Sequence, residues 1–204
     1  MAIVILDYGM GNLGSIQNML QYLGEDAVIT SELSVIEKAD KLILPGVGSF
    51  DAGMAQLESA GMMGLLKDMV DNRKKPILGI CLGMQLMTKG SEEGKSEGLG
   101  WLDASTHKFD FSQVSGLRVP HMGWNHISVT RAHELVADLD EEPRYYFVHS
   151  YYISANNPAD VIATASHGHT FVAIMSKDNI MGCQFHPEKS HRYGMMLLKN
   201  FAKI

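Results

Sequence analysis

Apolar positions alternate between two rhythms along the first part of the chain. Ala2 to Leu6 is a short β-branched run that ends at Asp7 and a glycine-rich turn, Gly9 to Gly14, after which Ile16, Met19, Leu20 and Leu23 recur at helical spacing. Gly24 stops that helix. Ala27 to Thr30 reads as a second strand, Glu32 to Ala39 as a short helix, and Lys41 to Leu44 as a third strand running into Pro45-Gly46-Val47-Gly48. Helical spacing resumes through Leu57 and again through Leu65, Leu66, Met69 and Val70, before Pro76 to Ile80 forms a fourth strand that meets Cys81. Strands alternating with helices predict a parallel sheet with right-handed crossovers, since each connection must return over a face of the sheet.

Between Ser91 and Gly100 the chain shifts to Gly, Ser, Glu and Lys, which predicts an exposed loop between halves of different style. Beyond it, His126 to Thr130, Tyr145 to Ser154, Val161 to Ala165, Phe171 to Ser176 and Ile180 to Phe185 are short extended runs separated by turn signals such as Asn157-Pro158 and Asp178-Asn179. Ser190 to Ile204, with Tyr193, Met196, Leu197 and Phe201 on one face, closes the chain as an amphipathic helix. No internal repeat or linker interrupts the pattern. The expectation is a single α/β domain over residues 1–204: a mostly parallel central sheet flanked by helices, with extra β structure in the second half.

Composition narrows the function classes. Apolar residues make up 46% and charged residues 20%, enough for a sizeable core. A net charge of −6 supplies no polycationic footprint, which argues against nucleic acid or an anionic membrane as partner. The longest charge-free apolar stretch, Pro76 to Thr88, falls short of the ~20 residues of a membrane span. The N-terminus lacks a basic n-region and meets Asp7 early, so it reads as neither signal nor transit peptide, and the cytoplasm is the expected compartment. Cys81 and Cys183 are the only cysteines, too few for a disulfide framework.

The chemistry concentrates around those thiols. Gly79-Ile80-Cys81-Leu82-Gly83 follows an apolar strand and leads into a helical pattern, the arrangement of a nucleophile elbow. A tight strand-to-helix turn needs small residues two positions either side of the nucleophile, and the positive end of the following helix favours thiolate. Cys81 could equally be an inert core thiol, as many buried cysteines are. Gln184-Phe185-His186-Pro187-Glu188 after the last strand offers a base: an imidazole that accepts the thiol proton, with a carboxylate that orients it. Alone, His186 could be a satisfied strand-end histidine and Glu188 a solvated charge. Cys183 reads as structural, and His167 and His169, one residue apart with no third ligand nearby, as polar loop residues rather than metal ligands.

Five motifs taken together carry a resemblance. GICLGMQL (79–86), QFHPEKS (184–190) and PGVGSF (45–50) resemble the class I, triad-type glutamine amidotransferases, and VPHMGWN (119–125) with YFVHSYY (146–152) resembles the branch that serves imidazole glycerol phosphate synthases. The likeness runs from DYGMGNL to the last helix. It implies that Cys81 attacks the carboxamide of glutamine, releasing ammonia and leaving a γ-glutamyl thioester, with His186 as general base and acid and Glu188 orienting it. It implies an oxyanion hole from the backbone of Leu82 with Val47 or Gly48. It places Gln85 and the backbone of Ser150 and Tyr151 around the amino-acid end of glutamine, and calls for no cofactor and no metal. It further implies a heterodimer with a HisF-type (β/α)8 cyclase that receives the ammonia, docked near Asn12, Trp124, Tyr146 and Lys189. Two other readings stay open: a paralogue of the same branch that supplies ammonia for amidation of a nucleotide sugar in surface-polysaccharide synthesis, and a non-catalytic interaction subunit. An unpartnered cysteine hydrolase is a third, which would turn over fully alone.

Overall fold

The computed structural model describes residues 2–112 and 116–204. The order of elements is β1 (Ile3–Leu6), α1 (Leu13–Tyr22), β2 (Ala27–Thr30), α2 (Leu33–Ile36), β3 (Lys41–Gly46), α3 (Phe50–Ser59), α4 (Met63–Lys67), β4 (Ile77–Cys81) and α5 (Leu82–Leu86). The second half follows with β5 (Ala104–Lys108), β6 (His121–His126), β7 (Ser128–Val129), β8 (Arg144–His149), β9 (Tyr151–Ala155), β10 (Val161–His167), β11 (His169–Lys177), β12 (Ile180–Cys183) and α6 (His191–Lys203). The described residues form an eight-stranded sheet in the order β2-β1-β3-β4-β12-β11-β10-β7. It is parallel from β2 through β12 and antiparallel beyond. The α/β alternation read from the sequence is therefore the fold, with the extra β structure where the second half predicted it.

The parallel strands are buried on both faces because helices cover both. Ile3 and Ile5 of β1 join the cluster that also holds Ile16, Leu20, Leu197, Leu198 and Phe201 of α1 and α6. The alternate residues Val4 and Leu6 face the opposite cluster, with Phe50, Leu57, Leu66 and Leu86 of α3, α4 and α5. Period-two alternation on a strand and period-3.6 stripes on the helices thus meet in two apolar layers.

Three expectations need correction. Tyr145 to Ser154 is not one strand but two, β8 and β9, which break at Ser150 and pair in different small sheets, β6-β8 and β5-β9. The run expected over His126 to Thr130 lies earlier, as β6 up to His126 and then the short β7, because glycine and asparagine at 123 and 125 conceal the pairing of β6 with β8. The segment from Ser91 to Gly100 is pinned rather than loosely exposed. Asp51 accepts from Lys95 and Ser96 backbone N–H groups, and Glu93 accepts from Phe50 N at 2.8 Å.

Candidate active site

β3, β4 and β12 are neighbours, and their carboxyl ends open into a cleft of about 320 Å³. It is lined by Val47 and Gly48 after β3, Cys81 and Leu82 after β4, and His186 and Lys189 after β12, with Gln85, Glu93, His149, Ser150 and Tyr151 also on its walls. Crevices beyond the carboxyl ends of parallel strands are where open α/β sheets bind ligands, because loops rather than helices meet there.

At the end of β4 the backbone of Cys81 is held at φ 54°, ψ −110°, a conformation that L-residues rarely adopt. The chain turns from strand to α5 within that one residue. A Cβ at position 83 would lie 1.8 Å from the Leu44 carbonyl oxygen, and one at position 79 would lie 2.7 Å from the Met84 nitrogen. Both glycines of the GxCxG pattern are thus steric requirements of the elbow. As the first residue of α5, Leu82 has an N–H with no partner within the helix, beside the sulfur.

At the end of β12 the chain enters a tight turn over Pro187–Lys189. Its frame is tied to β8: His186 N donates to Tyr146 O at 2.9 Å, Tyr146 N donates to Ser190 Oγ at 2.9 Å, and the Ser190 hydroxyl donates to His186 O at 2.6 Å. Gly194 lets α6 close on this turn, since a Cβ there would stand 1.8 Å from Pro187 O. His186 and Glu188 are almost fully buried, with Nδ1 and Oε1 2.8 Å apart. The carboxylate only accepts, so Nδ1 carries the proton and donates. Nε2 has no hydrogen-bond partner among the described residues, and Cys81 and His186 line the same cleft. Burial pulls the His186 imidazolium down, but the proximity of Cys81 and the hydrogen bond and charge of Glu188 outweigh it and hold the group up to about 10.

The remaining predicted residues divide by what they have left to offer. Gln85 Nε2 donates to Tyr151 O at 3.2 Å and to Gln184 Oε1 at 3.0 Å, so its oxygen is the atom available to the cleft. Ser150 O accepts from Phe109 N, and Tyr151 O accepts from His149 and Gln85. With both carbonyls engaged, this corner can present donors, which suits a carboxylate. Gly48 sits at φ +113° on the cleft wall, a backbone state open to glycine. Below it the Tyr8 hydroxyl, raised by burial, donates to Pro45 O at 2.6 Å and braces the end of β3.

Trp124, Tyr146 and Lys189 come together: Trp124 meets Tyr146 edge-on at 6.4 Å, and the Lys189 ammonium lies 5.9 Å from the Tyr146 ring centroid. Trp124 and Met122 are 46% and 62% exposed, so this cluster is a surface. Asn12 stands at the start of α1, where its side-chain oxygen accepts from the Ser15 hydroxyl at 3.0 Å, and α1 packs against the turn carrying Lys189.

Sequence reasoning missed three residues. Gln184, fully buried, donates Nε2 to Cys81 Sγ at 3.8 Å, Glu93 places a carboxylate on the cleft wall, and Ser190 braces the His186 turn. The first and last lie inside the QFHPEKS motif, where adjacency to His186 was the available signal. Glu93 sits in an acidic loop that reads as solvated, and nothing in its spacing marks it.

A family model described as "Glutamine amidotransferase class-I" matches residues 4–204. The chain is 50% identical over 201 residues, 98% of each chain, to "Imidazole glycerol phosphate synthase subunit HisH 2" of Methanococcus maripaludis. It is 45% identical over 202 residues, 99% of each, to the protein of the same name from Pseudomonas aeruginosa. Among solved structures it resembles PurLQS of Thermotoga maritima, with a TM-score of 0.75 and 15% identity over 99% of this chain and 97% of that one; this likeness speaks to the fold.

Proposed function

Since this chain belongs to the class I glutamine amidotransferase family, we propose that it is the glutaminase subunit of an imidazole glycerol phosphate synthase, acting as one domain that frees ammonia from glutamine through Cys81, His186 and Glu188. The observation that carries this reading is the joining of a strained cysteine elbow and a buried, carboxylate-held imidazole across one cleft.

The cleft accommodates glutamine with its carboxamide at the sulfur. The Cys81 thiolate attacks Cδ, and negative charge develops on the carboxamide oxygen, met by the Leu82 N–H and by a second donor from Val47 or Gly48. Imidazolium Nε2–H of His186 passes its proton to the departing nitrogen, the C–N bond breaks, and ammonia leaves a γ-glutamyl thioester. Neutral His186 then takes a proton from water, whose oxygen attacks the thioester. Collapse restores thiolate and imidazolium and releases glutamate. Glu188 keeps the Nδ1–H tautomer throughout. At the other end of the substrate, the Glu93 carboxylate and the Gln85 oxygen receive the α-ammonium, and donors at Ser150 and Tyr151 receive the α-carboxylate.

Ammonia is retained for synthesis only if a partner takes it before solvent does. The exposed Trp124–Tyr146–Lys189 cluster, continuous with the cleft through Lys189, is the surface for a HisF-type (β/α)8 cyclase, with Asn12 at its margin. The test is reconstitution with that cyclase: glutamate release should rise on complex formation and couple to imidazole glycerol phosphate formation. Tight coupling to a nucleotide-sugar amidation instead would reassign the acceptor, and absence of glutamate release in the complex would refute the glutaminase reading.

A further inference from the structure

Two imidazoles outside the catalytic trio are wired to it in one direction. The side chain of Asn125 is oriented by the main chain at both ends: Oδ1 accepts from His126 N at 2.9 Å, and Nδ2 donates to Ser166 O at 2.9 Å. The same Nδ2 lies 3.1 Å from His121 Nε2, so that ring nitrogen must be the acceptor. The proton of neutral His121 therefore sits on Nδ1, 2.9 Å from His149 Nε2, which must in turn accept. His149 is left with Nδ1–H, which donates to Tyr151 O at 2.7 Å. That carbonyl also takes the 3.2 Å bond from Gln85 Nε2, which fixes the Gln85 amide; Gln85 donates to Gln184 Oε1, and this turns Gln184 Nε2 onto the Cys81 sulfur.

The chain of bonds admits one assignment of protons. A proton added to either imidazole would set N–H against N–H, or N–H against the Asn125 amide. The surroundings agree: Phe109, Phe147 and Phe171 pack around both rings, and His167 stacks on His121 at 4.4 Å. Burial lowers His121 to about 4 and His149 to about 3, with neighbouring histidine charge in the same direction and the Tyr151 bond partly opposing it for His149.

Resting on the glutaminase reading, we propose that His121 and His149 are positioning residues for glutamine: a neutral, single-tautomer pair that sets the Tyr151 carbonyl and, through it, the carboxamides of Gln85 and Gln184. His149 lines the cleft, whereas His121 acts through it.

The test has two arms. NMR of the ¹⁵N-imidazole-labelled chain at pH 7 should show both rings neutral and protonated on Nδ1; a charged ring, or an Nε2–H tautomer in either, overturns the proposal. In the complex with the cyclase, His121→Phe removes the donor at similar volume and should raise KM for glutamine at least 10-fold, with kcat changed less than threefold. His121→Asn retains a donor near the Nδ1 position and should return KM to within threefold of wild type. Unchanged KM in His121→Phe, or loss in both variants without the KM split, overturns the proposal while leaving the glutaminase reading in place. Absence of turnover in the wild-type complex overturns both.

Discussion

Strands β4 and β12 lie side by side and parallel, with Cys183 paired in register to Ile80, and each brings a cysteine to the same edge of the sheet. Cys183 stays in extended strand, fully buried. Its thiol donates to Phe185 O at 3.6 Å, and burial, with the charges of Glu188 and Cys81, pushes it well above the ordinary thiol range. Cys81, one position further along its strand, is turned by a positive φ onto the wall of the cleft, at the start of α5. The same residue type is buried packing in one strand and the proposed nucleophile in the next. What separates them is backbone conformation, and glycines at 79 and 83 permit it.

Substituting each cysteine should separate the two most sharply. We expect Cys81→Ala to reduce glutamine-dependent synthesis by on the order of 10⁴-fold or more, while ammonia-dependent synthesis by the partner persists. Cys183→Ala should keep glutaminase kcat within a factor of about three, since it removes packing and one weak thiol hydrogen bond outside the cleft. Equal losses in steady-state assays of the two variants would show that both cysteines are structural. A smaller contrast lies within the base. His186→Ala removes the proposed proton carrier and should cost roughly 10³-fold or more in kcat/KM. Glu188→Gln, which leaves the imidazole in place, should cost one to two orders less; equal costs would mean that the carboxylate does more than orient.

These contrasts mark where the sequence was readable. The βα rhythm of the first half was legible because each element carries its own periodicity, and the elbow because its glycines flank Cys81 in sequence, although Gly83 is fixed by the Leu44 carbonyl on the neighbouring strand. The second half was harder. β6 carries outward Met122 and Trp124 with glycine between them, and its partner β8 is remote in the chain, so its register depends on pairing that local pattern does not encode. Among site residues, His186 and Glu188 were visible as a motif, whereas Gln184 acquires its role only when β12 is laid beside β4. Glu93 acquires its own only when the acidic loop is folded back onto the start of α3.

The glycines sharpen the comparison of the two strands further. Gly79 and Gly182 are register partners on β4 and β12. A Cβ at 79 or 83 would strike backbone, at 2.7 Å and 1.8 Å, whereas one at 182 would meet a side chain, Met84 Cγ, at 2.4 Å. We expect Gly83→Ala to destabilise by about 3 kcal/mol or more and Gly182→Ala by about 1 to 2 kcal/mol, read from urea midpoints. Similar midpoints for the two would remove the steric basis of the elbow.

A last contrast concerns pH, and its sign separates His186 from the His121–His149 pair. An unfolded imidazole takes its proton near 6.5, whereas folded His121 and His149 refuse it until about 4 and about 3. Below pH 6.5 the unfolded chain thus binds more protons than the folded one, and stability falls, by about 2 kcal/mol per imidazole at pH 5. His133, lowered chiefly by burial, adds in the same direction. His186 runs the other way: raised to about 10, its contribution is fully present below 6.5 and is lost as pH climbs through about 10. Between pH 7 and 5 the slope should therefore come from the lowered histidines, and His121→Asn, which removes one of them, should flatten it. A urea midpoint that holds steady over that interval in the wild type would mean that the pair is already protonated in the fold, in conflict with the hydrogen bonds that His121 Nε2 accepts from Asn125 and His149 Nε2 accepts from His121.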